Sequence, residues 1–343
     1  MASEAPFKKL RIDGQKLIGT HSGTFHCDEA LAVYMLRRLK EYKDSNLVRT
    51  RDPKILDTCD IVVDVHGVYD HERRLYDHHQ RGFFETFSPE FKTKLSSAGL
   101  VYKHYGRELV ADFLKQPLDT PTVSLVYTKL YSSFVEALDG IDNGITEYEA
   151  VDEGEVRPRY SNNTDLSSRI RRLNPRWNED FSSATLDARF EQASALAGSE
   201  LLEALDGIAS SWLPARDIVK KAFLERKTLG DPSGRIVVFE QFASFKEHIQ
   251  TLEIEEGTEK DEMPLYTVYP DESGKWRVQC VPVNPNSFES RKALPEPWRG
   301  IRDEELSKLT GVPGCIFVHA SGFIGGHGTK EGALALARKA VDF

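Results

Sequence analysis

The sequence predicts an α/β protein, a parallel-sheet domain followed by a smaller α/β domain, on three observations. Its apolar runs are of strand length, helical periodicities alternate with them, and 343 residues exceed one ordinary core. The domains are expected at 12–228 and 229–343, divided near the turn cluster GDPSG, Gly230 to Gly234.

KLIGTH, Lys16 to His21, reads as a buried strand. DEALAVYMLRRLKEY reads as a helix, because Ala30, Val33, Tyr34, Leu36 and Leu39 recur at helical spacing and acids occupy its first turn. CDIVVDV, Cys59 to Val65, is apolar on consecutive positions, as in a strand covered on both faces. SSAGLVYKHYG and TVSLVYTKLYSSFVEALDGIDNGI continue as helices, the second stopped at Asn143-Gly144. Asp152 to Arg176 is polar and turn-rich and is expected to be an ordered loop, and Ser183 to Lys227 mostly helical. RIVVFE, FKEHIQTLEI, PLYTVYP, KWRVQCVPV, CIFVHASG and a final helix EGALALARKAV compose the second domain.

No apolar run approaches the roughly 18 residues of a membrane span, so no membrane partner is expected. Cys27, Cys59, Cys280 and Cys315 form no C-x-x-C pair, which argues against a zinc ribbon or disulfide framework and for a reducing intracellular compartment. A net charge of -9 disfavours nucleic acid except at a local basic patch. Seven of the ten histidines lie by position 104, which concentrates the chemistry in the first third.

Ligands of α/β sheets gather beyond the carboxyl ends of strands. HSGTFHCDEA follows the first strand with His21, His26 and Asp28; DVHG closes the second with Asp64; DHH follows, and EALDGIDNG adds Asp139 and Asp142. Imidazoles and carboxylates converging there suit two cations, bridged by a shared carboxylate, that hold a phosphodiester and acidify a water. Cys27 is expected to be a packing residue, and His71 and His104 to be solvated. HCDE has no P-C-x-x-C partner, which excludes a zinc deaminase.

HSGTFHCDEA, DVHGVYD, YDHHQRGF, EALDGIDNGI and VHASGFIGG resemble the DHH phosphoesterase superfamily and, within it, the Myg family (melanocyte-proliferating-gene protein), over about Ile18 to Ala340. The resemblance implies a metal-dependent 3′ to 5′ exoribonuclease acting on single-stranded RNA, located in nucleus, cytoplasm or mitochondrion, with its site in the cleft between the domains. By similarity to the related pyrophosphatase branch, His21, His26 and Asp64 would hold one metal, and Asp28, Asp64, His78 and either Asp139 or Asp142 the other. Asp77 would orient an imidazole and His79 face a phosphate oxygen, so Asp64, Asp77 and His79 are the expected catalytic residues. Two departures stand out. His26 replaces an aspartate of that branch, which favours manganese over magnesium, and His66 stands where a small residue is expected, as an extra ligand or a narrowing of the pocket.

In the second domain, FIGGHGTKEG sets glycines before a helix, where free backbone N–H groups suit an anion. The resemblance adds that such a GGH segment closes on substrate, making Gly325, Gly326 and His327 candidate contacts, with His319 and Ser321 nearby. SRK at Ser290 to Lys292 resembles a phosphate-gripping stretch, hence Arg291 and Lys292. Val156 to Arg176 carries six arginines against Asp165, with Tyr160 and Trp177 as stacking surfaces; Arg169, Arg171 and Arg172 are the expected RNA contacts. Two alternatives stay open: a pyrophosphatase-like hydrolase of phosphoanhydrides or short oligonucleotides, and a non-catalytic RNA-binding protein.

Overall fold

The computed structural model describes residues 14–148 and 162–343, which divide into two compact units between Ala209 and Ser210. The first contains β1 (Leu17–Thr20), α1 (Cys27–Arg38), β2 (Asn46–Arg49), α2 (Pro53–Leu56), β3 (Ile61–Val63), β4 (Tyr69–Asp70) and β5 (Leu75–Tyr76). Helices α3 (Ser97–Leu114), α4 (Pro121–Leu130), α5 (Glu136–Asp142), α6 (Leu166–Arg171) and α7 (Ser183–Gly207) follow. The sheet order is β2-β1-β3-β5-β4, parallel through β5, with β4 antiparallel at the edge. Both expected strands are present, buried along their whole length. The other three are short or half-polar, which hides them from an apolar pattern.

Helix α1 buries Leu31, Val33 and Leu36 against α3 and α7, each side chain contributing about 1.5–3 kcal/mol. The helix expected from Thr122 to Ile145 carries a π-helical turn, Tyr131–Val135, between α4 and α5. It stops at Asn143-Gly144, with Gly144 at φ 67°. The expected loop at 152–176 holds a correction: α6 lies within it, capped by Asp165 and anchored by the buried Ile170. Arg157, Arg159 and Tyr160 lie outside the described residues.

The second unit contains α8 (Leu213–Leu224), β6 (Ile236–Val238), α9 (Lys246–Glu255), β7 (Tyr266–Pro270), β8 (Trp276–Cys280), α10 (Asp303–Thr310), β9 (Cys315–Val318), β10 (Ile324–His327) and α11 (Lys330–Asp342). Its mixed sheet runs β6-β7-β8-β10-β9. The unit begins earlier than residue 229 because Ala215, Val219 and Phe223 of α8 pack with Val237, Phe239 and Ile249. No described helix is long and apolar enough to cross a membrane.

Candidate metal centre

The carboxyl ends of β1, β3 and β5 deliver His21, Asp64 and the Asp77-His78-His79 run to one edge of the first unit's sheet. His26 caps the start of α1, where its backbone N–H donates to the Glu29 carboxylate at 2.9 Å, and Asp142 closes α5. Asp64 and His66 sit at φ 56° and 106°, a left-handed bend that non-glycine residues rarely adopt. That bend turns the chain out of β3 immediately beside the site.

Three groups bring potential ligand atoms within 4.8 Å of one another: His21, His26, Glu29 and Asp64; Asp64, His78 and His79; and His26, Asp28 and Asp142. Asp64 belongs to two of them. Its Oδ2 lies 3.3 Å from His21 Nε2, while its Oδ1 lies 3.4 Å from His78 Nε2 and accepts from Ser97 Oγ at 3.1 Å. His78 Nε2 is also 3.2 Å from Asp142 Oδ2.

Burial would lower the His21 imidazole, but the Asp64 and Glu29 carboxylates outweigh it and raise it to about 10. His78 follows the same logic: burial lowers it, and Asp142 and Asp64 raise it to about 10. Burial opposes ionisation of Asp64, yet the two imidazoles hold its carboxyl well below the usual range. Asp28 has no such help. Burial, with Asp64, Asp142 and Glu29 nearby, pushes it well above the carboxylate range, and neither of its oxygens has a protein partner. An unpaired buried carboxylate is costly, so this donor set fits divalent cations, which would satisfy Asp28 and relieve the crowding of acids.

The sequence left Asp139 and Asp142 as alternatives, and the structure separates them. Asp139 points into the core, where its carboxylate accepts from Ser96 N at 2.9 Å, Ser96 Oγ at 2.7 Å and Tyr131 Oη at 2.9 Å. A Cβ on Gly99 would lie 2.3 Å from Asp139 Oδ1, so glycine is required for that approach. Glu29, unnoticed as a site residue, joins His21 instead; its only sequence signal is the acid adjacent to Asp28.

Asp77 receives Gly67 N at 2.6 Å and His79 N at 3.0 Å and faces His79 Nδ1 at 2.8 Å, leaving His79 largely exposed above the acids. His66 pairs with Asp57 at 3.2 Å and is absent from the three groups; its φ is the reason a small residue suits that position. His71 is exposed but not merely solvated: it stacks on the half-buried His104 at 3.8 Å and bonds Tyr76 Oη. Cys27 is buried as expected, its thiol pushed up to about 12 by burial, and it lines the pocket.

That pocket, about 280 Å³, is walled by His26, Asp64, His79 and Asp142 and by Ser167 and Arg171 of α6. Asn174 ties the arginine segment to the His21–His26 loop by accepting from Phe25 N at 2.9 Å and donating to Phe25 O at 2.8 Å. The three arginines therefore differ. Arg171 reaches the pocket, Arg169 pairs with Glu200 at 2.7 Å, and Arg172 donates to Asn163 O. Trp177 is 91% exposed.

The second-unit candidates are not brought together as one cluster. Gly325, Gly326 and His327 are not a turn with free N–H groups but strand β10, paired to β8 and β9. His327 is buried; its Nε2 faces Pro313 O at 2.9 Å, its Nδ1 receives Thr329 N at 3.0 Å, and a Cβ on Gly332 would overlap its ring. Arg291 grips Glu253 through both amino groups and Pro264 O, and Lys292 donates to Val341 O at 2.8 Å. His319 and Ser321 bond each other at 2.9 Å on the exposed turn between β9 and β10.

Fold and site together define an α/β protein with a carboxylate–imidazole centre able to hold metal ions. Residues 17–341 match the family model MYG1_exonuc, described as uncharacterised protein family UPF0160, and the chain belongs to this MYG1 family. It is 51% identical over 342 residues to the MYG1 exonuclease of Bos taurus, covering 97% of this chain and 87% of that one. The MYG1 exonuclease of Homo sapiens is 51% identical over 327 residues, covering 94% and 84%. The MYG1 protein of Saccharomyces cerevisiae is 48% identical over 335 residues, covering 97% and 98%. No solved structure gives a significant match.

Proposed function

We propose that the chain is a metal-dependent 3′ to 5′ exoribonuclease of DHH type acting on single-stranded RNA. The observation that carries the metal reading is Asp28, buried with both carboxylate oxygens unpartnered in a cluster of imidazoles and acids. The relatives named MYG1 exonuclease support a nuclease, and the exposed Trp177, six residues after Arg171 in the sequence, supports a single-stranded substrate that stacks its bases. His21, His26, Asp28, Glu29, Asp64, His78 and Asp142 would hold two divalent cations, manganese ahead of magnesium. When bound, such cations supply positive charge to the phosphate and acidify a water.

The chain's own groups do the rest. Asp64, ionised and held by Ser97, keeps the two imidazoles in register. His79, held by Asp77 and exposed at the pocket, would hold or pass a proton at a phosphate oxygen. Arg171, another residue of the pocket lining, offers a planar cation to the phosphate.

The test is hydrolysis of end-labelled single-stranded RNA, the same sequence as DNA, a dinucleotide and pyrophosphate, each with manganese and with chelator. Manganese-dependent release of nucleotides from the 3′ end of RNA is expected. Turnover of pyrophosphate alone would move the protein to the phosphoanhydride hydrolases, and RNA binding without turnover would make it a binding protein.

A further inference from the structure

We infer that Asn143 sets the tautomer of His78 and so aims the Nε2 lone pair between Asp64 and Asp142; the inference rests on reading His78 as a metal ligand. Asn143 Nδ2 donates to two main-chain carbonyls, Lys94 O and Asp139 O, each at 2.9 Å. Rotating the amide by half a turn would set its oxygen against both carbonyls, so its orientation is determined. Its Oδ1 is thereby left facing His78 Nδ1 at 3.1 Å.

An amide oxygen can only accept, so Nδ1 must carry the proton. Metal ligation requires the neutral ring, which holds one proton, and this leaves Nε2 as the lone-pair nitrogen once the second proton has been displaced. Nε2 is the atom lying 3.4 Å from Asp64 Oδ1 and 3.2 Å from Asp142 Oδ2, buried and without an aligned hydrogen-bond partner. The amide that stops α5 directly after Asp142 is thus also bonded to the chain before α3, which carries Ser97 against Asp64. Asn143 is a positioning residue that acts through His78 and shares its anchorage with both acids.

Calorimetric titration of Mn²⁺ into the full chain tests this with wild type, Asn143→Ala and Asn143→Asp. Alanine removes the acceptor and both donors; aspartate keeps an acceptor at Nδ1 and, as the acid form that two facing carbonyls favour, one donor toward Lys94 O and Asp139 O. Mn²⁺ affinity should fall by about 10–100-fold in Asn143→Ala and stay within about threefold of wild type in Asn143→Asp. Equal losses in the two variants would show a helix stop acting only on the fold and would overturn the inference.

Nitrogen–proton correlation spectra of the diamagnetic Mg²⁺-loaded protein read the tautomer directly. The ring proton of His78 should reside on Nδ1 in wild type and Asn143→Asp, and a proton on Nε2 in either would also overturn it. If Asn143→Ala does not fold, the Asn143→Asp spectrum decides. Failure of the wild type to bind Mn²⁺ would instead sink the reading of the site as a metal centre, and this inference with it.

Discussion

Asp139 and Asp142 stand one helical turn apart on α5 and serve different ends: Asp139 is clamped by Ser96 and Tyr131 in the core, and Asp142 faces His78 at 3.2 Å. Replacing Asp139 by alanine leaves buried donors on Ser96 and Tyr131 unmet and should cost about 2–4 kcal/mol. Asp142→Asn removes an acid that pairs with protonated His78 but also crowds Asp28, two opposed effects, and should cost the metal-free protein less than Asp139→Ala does. Mn²⁺ affinity should respond in the opposite sense, falling more than about tenfold for Asp142→Asn and little for Asp139→Ala. Thermal melts and Mn²⁺ titrations on both variants check this; loss of Mn²⁺ binding confined to Asp139→Ala would reverse the assignment.

The paired imidazoles predict an unusual pH response. His21 and His78 are raised from the usual 6.5 to about 10 in the fold, so their protonated forms stabilise the metal-free protein fully below about pH 6.5. This stabilisation is lost as the pH climbs through 10. The chelator-treated protein should therefore melt at progressively lower temperature between about pH 7 and about pH 9. Metal must displace those protons, so Mg²⁺ or Mn²⁺ affinity should rise over the same range. A flat melting profile would mean that the imidazoles are not paired with the acids.

The arginines of α6 should separate by their partners. Arg171→Ala removes a pocket cation and should flatten the slope of log affinity for single-stranded RNA against log salt by about 0.7. Arg169→Ala breaks an ion pair with Glu200 and should leave that slope unchanged. Binding measured across a salt series decides, and equal effects would mean that Arg169 leaves Glu200 to meet the strand.

His327 should matter to the second unit's stability. Its imidazole is buried and bonded at both nitrogens, so His327→Ala should cost about 2–3 kcal/mol in a melt, with Mn²⁺ affinity unchanged. A stable variant that binds RNA more weakly would return His327 to the substrate site.

Much of the centre was legible because chemistry at strand ends stands out from apolar runs: His21, His26, Asp28, Asp64 and His78 all converge. Asp139 and Asp142 could not be told apart, since three-residue spacing sets both on one helical side and the close approach of Gly99 decides which is buried. Glu29 was hidden by its double use, capping His26 N while facing His21. Asn143 carried the pattern of a helix stop, which says nothing of the imidazole it also meets. Glycines read as a turn, so β10 was invisible until the ladders to β8 and β9 showed that Gly325 and Gly326 lie mid-sheet. The short strands β4 and β5 hold two residues each, too few for any periodicity to register.

The most direct test counts metal. Equilibrium dialysis against Mn²⁺, followed by elemental analysis of wild type and Asp64→Asn, should give about two ions per chain for the wild type. The variant should hold neither, because Asp64 faces His21 with one oxygen and His78 with the other. A wild type that retains no manganese, or an Asp64→Asn protein that keeps both ions, would contradict the account.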